Sequence, residues 1–430
     1  MQKSLKHFWD SPYSLWAIVA AVILGLSVIL FQTNNPIALD EGLRHIVMGQ
    51  EYREHGIENV QGWGDYFFTG YFSEHNSDPW FLADVSYIPF TIFADLVIGL
   101  KVYTVVLALF LMACFYPILR FYKTSQLLTA LFLLGLMFGS VAFLSRLVIA
   151  RPMVFSIGAF LLAYNATLRK HYLQLIPIIA IAVLFSHLFI FALFVSLSTG
   201  IWLFFNGKKG DSIRCILYGM IGLAIGLILH PQTLQYMHYI VNIFGDMLYG
   251  SSDLIVGGEL FSGLLNPDIA LWLIIISLIS SLFSKHKRAF IRELIVKRKE
   301  VILTGIYALI FLICYIKMMR SVEYLFPVIL ILILQIVTLT TQRQKAAEDY
   351  LREPIFNGGR MTVLHTLAAL FLLTFTTVLL NERDSSKYNV LAHYSAIERV
   401  PTGSTVLNIR WSPFPVLFYL NHDILYGRGM

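Results

Sequence analysis

The chain has 430 residues, of which 57% are hydrophobic and only 13% charged, with a formal net charge of +6. A soluble domain carries about 25% charged residues, so a soluble enzyme, a disordered chain and a disulfide scaffold are excluded, and the apolar excess needs lipid. Cys114, Cys215 and Cys314 all fall in apolar runs and read as small core or lipid-facing residues, not as a metal set or disulfide framework.

A spanning helix needs about 20 mostly apolar residues. Such runs lie at 14–32, 101–119, 126–144, 152–167, 173–186, 188–205, 214–230, 269–284, 301–317, 324–341 and 362–380. The stretch 173–205 is too long for one span, and we divide it at Ser186-His187. With that division and a cytoplasmic N-terminus, about eleven spans place most of the 32 Lys and Arg residues inside. These include Arg120, Lys123, Arg169, Lys170, Lys208, Lys209 and Arg214. Basic residues concentrate in cytoplasmic loops, so the positive charge is topological and no nucleic-acid partner is expected. The first run is of full length and reads as a retained anchor.

Four parts follow in chain order. Residues 1–33 form the cytoplasmic N-terminus and first span. Residues 34–100 form an outer loop. Residues 101–380 form the helical membrane core. Residues 381–430 form a small outer α/β segment, packed on the first loop or else the start of a larger domain. In the first loop Asp40 can cap a helix running to about His55. Leu43, Ile46, Val47 and Gln50 with Tyr52 suit a helix face laid on the bilayer surface. The aromatic stretch Trp63 to Phe72 suits headgroup anchoring, and a second interfacial helix is expected over 80–97. In the tail, Val390 to Arg399 reads as helix, Pro401 to Ser404 as a turn, and Thr405 to Ile409 as a strand.

The chemistry-bearing residues cluster at outer span ends. Asp40 and Glu41 follow the first span, where a carboxylate can serve as general base or simply as a helix cap with a favourable dipole charge. Asp65 and Asp78 share that loop, and paired carboxylates can hold a divalent cation, Mg or Mn, against a phosphate. Arg146 and Arg151 flank the third and fourth spans. Lys317 and Arg320 form a second outer basic pair. Arg suits bidentate phosphate contacts, with lipid headgroups as the plain alternative. His187 and His230 sit at outer span ends, where packed or hydrogen-bonded histidines are the commoner outcome. No nucleotide-binding Gly loop or Walker pattern is present in the sequence.

One span, then Leu39-Asp40-Glu41-Gly42-Leu43-Arg44, two amphipathic segments and many further spans: this sequence resembles the polytopic GT-C glycosyltransferases. That superfamily includes the lipid A aminoarabinose transferase, the protein O-mannosyltransferases and the dolichol-linked mannosyltransferases. Arg151-Pro152, the Arg320…Tyr324…Pro327 segment and Val406-Leu407-Asn408…Trp411…Phe414-Pro415 are similar to patterns of that superfamily. The Tyr66–Asp78 stretch departs from the Lys-Pro-Pro-like sequence of the aminoarabinose branch.

The resemblance implies an all-α membrane core and a polyprenyl-phosphate-linked sugar donor. It implies a glycan, lipid or protein acceptor and a site on the outer, periplasmic face of a bacterial inner membrane. It makes Asp40 the essential acid, with Glu41 beside it, and Arg151, Arg320, Arg146 and Lys317 the donor-phosphate candidates. Asp65, Asp78, His187 and His230 become acceptor or metal candidates. A transporter or flippase, or a non-catalytic subunit of an envelope-polysaccharide assembly, is the alternative. A transporter places ionisable residues along span midplanes, and these spans hold few.

Overall fold

The computed structural model describes residues 13–32, 42–58, 62–69, 76–249, 268, 271–272, 275–276, 299–348, 372–381, 390–407 and 414–427. It is mostly helical. Five of the described helices are long and apolar enough to cross a membrane, and a sixth span results if one bent pair counts as one. The protein is a polytopic membrane protein. Asp40 and Glu41, the span expected over 269–284 apart from a few residues, and most of 362–380 lie outside the described residues.

Helix α1 covers Tyr13–Phe31 and α2 covers Gly42–His55. A 3₁₀ turn, Trp63–Tyr66, leads into strand β1, Phe67–Thr69. Helix α3 covers Phe81–Tyr87 and α4 Leu96–Phe121. Then come α5, Gln126–Phe138, α6, Val141–Val148, and α7, Met153–Leu168. Helices α8, Leu175–Phe185, α9, Ile190–Phe205, α10, Lys209–Leu229, and α11, Thr233–Tyr249, follow. Later come α12, Glu300–Lys317, α13, Val322–Glu348, and α14, Leu372–Asn381. The chain closes with α15, Val390–Tyr394, β2, Thr405–Leu407, α16, Phe414–Leu420, and β3, Leu425–Gly427.

The chain divides into two compact units. One comprises Met1–Ile29, Met112–Arg146 and Gly258–Asn381, and the other Leu30–Leu111, Leu147–Gly257 and Glu382–Met430. In the first unit α12 and α13 form a hairpin through the turn Met319–Ser321. Helices α5 and α6 meet at a 72° bend. The bend sits at Gly139-Ser140, and the Asp268 carboxylate accepts from polar groups at the start of α6. It accepts from the Ser140 hydroxyl at 2.5 Å and the Ala142 N–H at 3.0 Å. Mid-helix polarity is likewise paired, with the buried Gln335 amide donating to Tyr122 Oη at 2.8 Å and Thr304 Oγ1 at 3.0 Å.

The second unit contains α7 to α11 and the loop layer. The expected break at Ser186-His187 is present. Helix α8 stops at Phe185, Ser186 turns extended, and its hydroxyl accepts from Leu188 N–H before α9 begins. Helix α10 packs on both. Gly222 meets the Leu175 and Ile176 carbonyls and Gly226 meets Ala180, so α10 runs parallel to α8. Gly200 of α9 meets Ile216 and the Ser212 carbonyl, and Gly219 meets Ser196, so α10 runs antiparallel to α9. Ser196 Oγ donates to the Cys215 carbonyl at 2.7 Å, and Ser212 Oγ to the Gly200 carbonyl at 2.7 Å. Small residues and hydroxyls let these helices approach closely where lipid offers no hydrophobic drive.

Three expectations for the loop layer are corrected. Helix α2 ends at His55 as expected, but it is covered by protein on most sides instead of baring one apolar face. Residues 42–49 are all buried, as are Glu51 and Tyr52. Trp63 and Trp80 are buried as well, so they pack inside the protein instead of anchoring at headgroups. The helix expected over 80–97 stops at Tyr87. It tightens into a 3₁₀ turn at Ile88–Phe90 and gives way to α4, whose first turn is capped by Asp95. Pro89 supplies no backbone N–H donor to extend α3.

The reason for the burial is the C-terminal segment. Strands order as β1-β3-β2, all parallel, with Phe67 opposite Tyr426 and Val406 opposite Tyr426 on the other side. Helix α16 lies on α2. The tail therefore closes a core with the first loop. The turn expected at Pro401 to Ser404 is present, with Gly403 at φ 77°, a conformation glycine adopts at little cost.

Candidate functional site

The polar side chains of the loop layer converge between α2, α3 and the 3₁₀ turn. Gly49 makes the crossing of α2 and α3 possible. A Cβ there would stand 2.7 Å from the Tyr87 Cβ and 3.1 Å from the Asp84 carbonyl. Asp78 is fully buried and well supplied with donors. Tyr52 Oη donates to its Oδ2 at 2.7 Å, and its Oδ1 accepts from Trp63 Nε1 at 3.2 Å and the Trp80 N–H at 2.9 Å. Its main chain is held too. The Asp78 N–H donates to Gln232 Oε1 at 2.6 Å, and its carbonyl lies 3.1 Å from His230 Nε2.

Asp84, also fully buried, is bonded to His45 Nδ1. The Arg44 guanidinium stands 4.2 Å from the centre of the Trp80 ring and 5.2 Å from that of Trp63. Cation–π contact compensates part of its lost hydration. His45 stacks on Tyr87 at 5.9 Å and meets Trp80 edge-on at 5.3 Å.

Burial raises the pKa of Asp78, opposed by donation from Tyr52, the Trp80 N–H and Trp63. Asp84 is pushed well above the usual carboxylate range, by burial first and by the neighbouring Asp78 next, with Arg44 pulling the other way. Two carboxyl groups in one low-dielectric space do not both ionise. Asp84 is accordingly pushed up further than the donor-rich Asp78. Burial pushes His230 down to about 4, against the hydrogen bond to the Asp78 carbonyl, so its ring is neutral at pH 7.

Arg151 is buried. The preceding residues are pinned from two sides. Tyr87 Oη donates to the Ala150 carbonyl, and a Cβ on Gly42 would stand 2.7 Å from the Ile149 carbonyl. Ala150 itself holds φ 52°, in the left-handed region that L side chains rarely adopt. The chain thus turns sharply between Ile149 and Pro152, and Pro152 caps α7.

Among the residues expected to act, Asp78, His230 and His187 come together in the second unit, and Arg151 is buried in the same unit. His187 is buried edge-on to Trp80 at 5.8 Å and Tyr239 at 5.8 Å. Asp65 is exposed and accepts from Asn76 Nδ2 at 3.3 Å. In the first unit Arg146 does not reach for lipid. It is buried and its Nε donates to Glu323 Oε1 at 2.6 Å. Arg320 is half-buried in the turn after α12, and Lys317 is exposed in the last turn of α12. Asp40 and Glu41 fall outside the described residues. Among the described residues no group of three or more His, Cys, Asp and Glu side chains can hold a metal ion.

The sequence reading missed Arg44, His45, Tyr52 and Asp84. The available signal was a polar patch, Arg44-His45, inside an otherwise apolar helix turn, together with a second acid six residues after Asp78. No family model matches this chain, and no curated protein matches it.

Proposed function

We propose that this protein is a membrane glycosyltransferase that moves a sugar from a polyprenyl-phosphate-linked donor to a lipid, glycan or protein acceptor. The chemistry takes place on the outer face of a bacterial plasma membrane, in a chain with about eleven spans. The observation that carries the reading is the contact of Gly42 with the Ile149 carbonyl. Two short motifs, Leu39-Asp40-Glu41-Gly42 and Arg151-Pro152, lie far apart in sequence, and Gly42, the last residue of the first, abuts Ile149, two residues before Arg151. A carboxylate motif and a guanidinium are what the reaction needs. A polyprenyl phosphate leaves readily once its charge is compensated, and the acceptor hydroxyl must lose a proton. Electrostatic positioning supplies much of such a rate.

In this reading Asp40 is the base that takes the acceptor proton, Glu41 supports it, and Arg151 holds donor phosphate. The decisive experiment is transfer in proteoliposomes from a polyprenyl-phosphate-sugar donor, comparing wild type with Asp40→Asn. Asn caps a helix about as well as Asp, so the variant removes charge and basicity alone. General-base catalysis contributes about 10²–10⁴-fold, and activity should fall by that factor while the melting temperature stays put. Near-full transfer by Asp40→Asn would sink the assignment of the base. Absence of transfer by the wild type across a panel of lipid-linked donors would sink the reading itself.

A further inference from the structure

Two aromatic residues of the turn before β1, Trp63 and Tyr66, and Phe67 at the start of β1 face the tail of the chain. Trp63 lies 5.4 Å from Phe418 and 6.4 Å from Phe414, Tyr66 lies 5.0 Å from Phe418, and Phe67 lies 4.9 Å from Phe414. Helix α16, which carries both phenylalanines, is fixed by the strand that follows it. Tyr426 of β3 pairs with Phe67, and its hydroxyl donates to the Leu417 carbonyl at 2.9 Å and the Asn421 carbonyl at 2.6 Å. Trp63 has a second set of contacts. Its indole N–H donates to Asp78 Oδ1, and its ring receives the Arg44 guanidinium. One fully buried ring thus touches the C-terminal segment, the acid and the buried cation together.

We infer that Trp63 is a positioning residue through which the C-terminal segment completes the acid site of the first outer loop. The inference deepens the glycosyltransferase reading, and one of its two readouts rests on that reading. The indole ring can occupy its place only if Phe414 and Phe418 fill the space behind it. Without that backing the N–H swings away, and the Asp78 carboxylate loses one of its three donors, two from side chains and one from the backbone. Burial holds the Asp78 pKa up, and Trp63 is one of the groups that pull it down. Its loss therefore raises the pKa further. The other groups facing Asp78 are Tyr52 from α2, Asp84 from α3, Tyr66 from the 3₁₀ turn, and His230 and Tyr236 on the α10–α11 side. None of these touches the C-terminal phenylalanines except Tyr66, so the route from tail to acid runs mainly through Trp63.

The test uses the full chain in proteoliposomes and follows Asp78 by infrared titration of the carboxyl stretch that Asp78→Asn abolishes. Trp63→Phe keeps an aromatic ring and deletes the donor. The Asp78 titration should move up by about one pH unit, as expected for loss of one hydrogen bond to a carboxylate. Phe418→Leu should move it in the same direction without altering Trp63 itself, and Trp63→Phe with Phe418→Leu should move it no further than Trp63→Phe alone. The acidic limb of the transfer–pH profile should follow the infrared shift. An unmoved Asp78 titration in Trp63→Phe, or additive shifts in the double variant, overturns the inference whatever the activity. Infrared shifts as expected in a chain that transfers no sugar leave the inference standing and overturn the glycosyltransferase reading.

Discussion

Asp78 and Asp84 share one buried neighbourhood and differ in what holds them. Asp78 receives an indole, a phenol and a backbone N–H, and such donors favour the charged form. Asp84 meets His45 and lies within reach of Arg44 and Asp78. Removing one partner from a set like this strands a buried charge, at about 3–5 kcal/mol, which is why the cluster reads as one cooperative unit. Asp78 was legible in the sequence as an acid in the right loop. Asp84, His45 and Arg44 were not, because charge in a helix ordinarily marks a solvated face. Arg151 carries the residue-scale prediction. Arg151→Ala should weaken binding of a polyprenyl-phosphate-sugar donor at least tenfold, since a charge-assisted hydrogen bond contributes about 1.5–3 kcal/mol. Equal donor affinity in isothermal titration of the two proteins would leave Arg151 a structural residue of the loop before α7.

At the scale of elements, α10 is the clearest case of sequence acting through shape. Gly222 and Gly226 touch the backbone of α8. A side chain at Gly222 would place Cβ 2.7 Å from the Ile176 carbonyl oxygen, and backbone cannot yield as a side chain can. Gly222→Val should therefore destabilise the detergent-solubilised protein by about 1–3 kcal/mol through overpacking. Gly210→Ala, near the start of the same helix with open space around it, should leave the melting temperature level or slightly raised.

The link between α2 and the tail gives an element-scale pH dependence. Glu51 lies 3.2 Å from His422 Nε2, and its other oxygen lies 3.2 Å from His55 Nδ1. The hydrogen bond from His422 lowers the Glu51 pKa from its ordinary 4.5, and the same bond raises that of His422 from 6.5. The Glu51 contribution is present above 4.5 and lost as pH falls through the folded value. The His422 contribution is present below 6.5 and lost as pH rises through the folded value. The stability difference between wild type and His422→Gln should accordingly be largest between about pH 4.5 and 6.5 and shrink on both sides. A flat difference in chemical unfolding from pH 4 to 9 would show that the pair adds nothing.

For the whole molecule the membrane is the organising solvent. In the second unit the hairpin of α8 and α9 with α10 puts Arg169, Lys170, Lys208 and Lys209 at helix ends remote from His187 and His230. The acid cluster adjoins those histidines. Basic loops stay cytoplasmic, so accessible tags after Lys170 and at Lys209 should report inside. A tag at Ser404 should report outside. An outward Lys209 would reverse the face on which the proposed chemistry takes place.

The sequence by itself determined the solvent of this protein and most of its helices. Long apolar runs have no stable place but lipid, and inside lipid every backbone N–H and C=O must be paired within its own segment. That is why the runs at 14–32, 101–119 and 301–317 appear as α1, α4 and α12 with ends shifted by a few residues. The break at Ser186 was legible for the same reason, since a helix of 33 residues overshoots a bilayer. The tertiary structure alone decided which polar residues are buried. Arg44, Trp63, Asp78 and Asp84 are short-range unremarkable and become one cluster because β3 pairs with β1 and α16 covers α2. Burial depends on what packs over a side chain, and here the cover comes from the far end of the chain, beyond the reach of any local pattern.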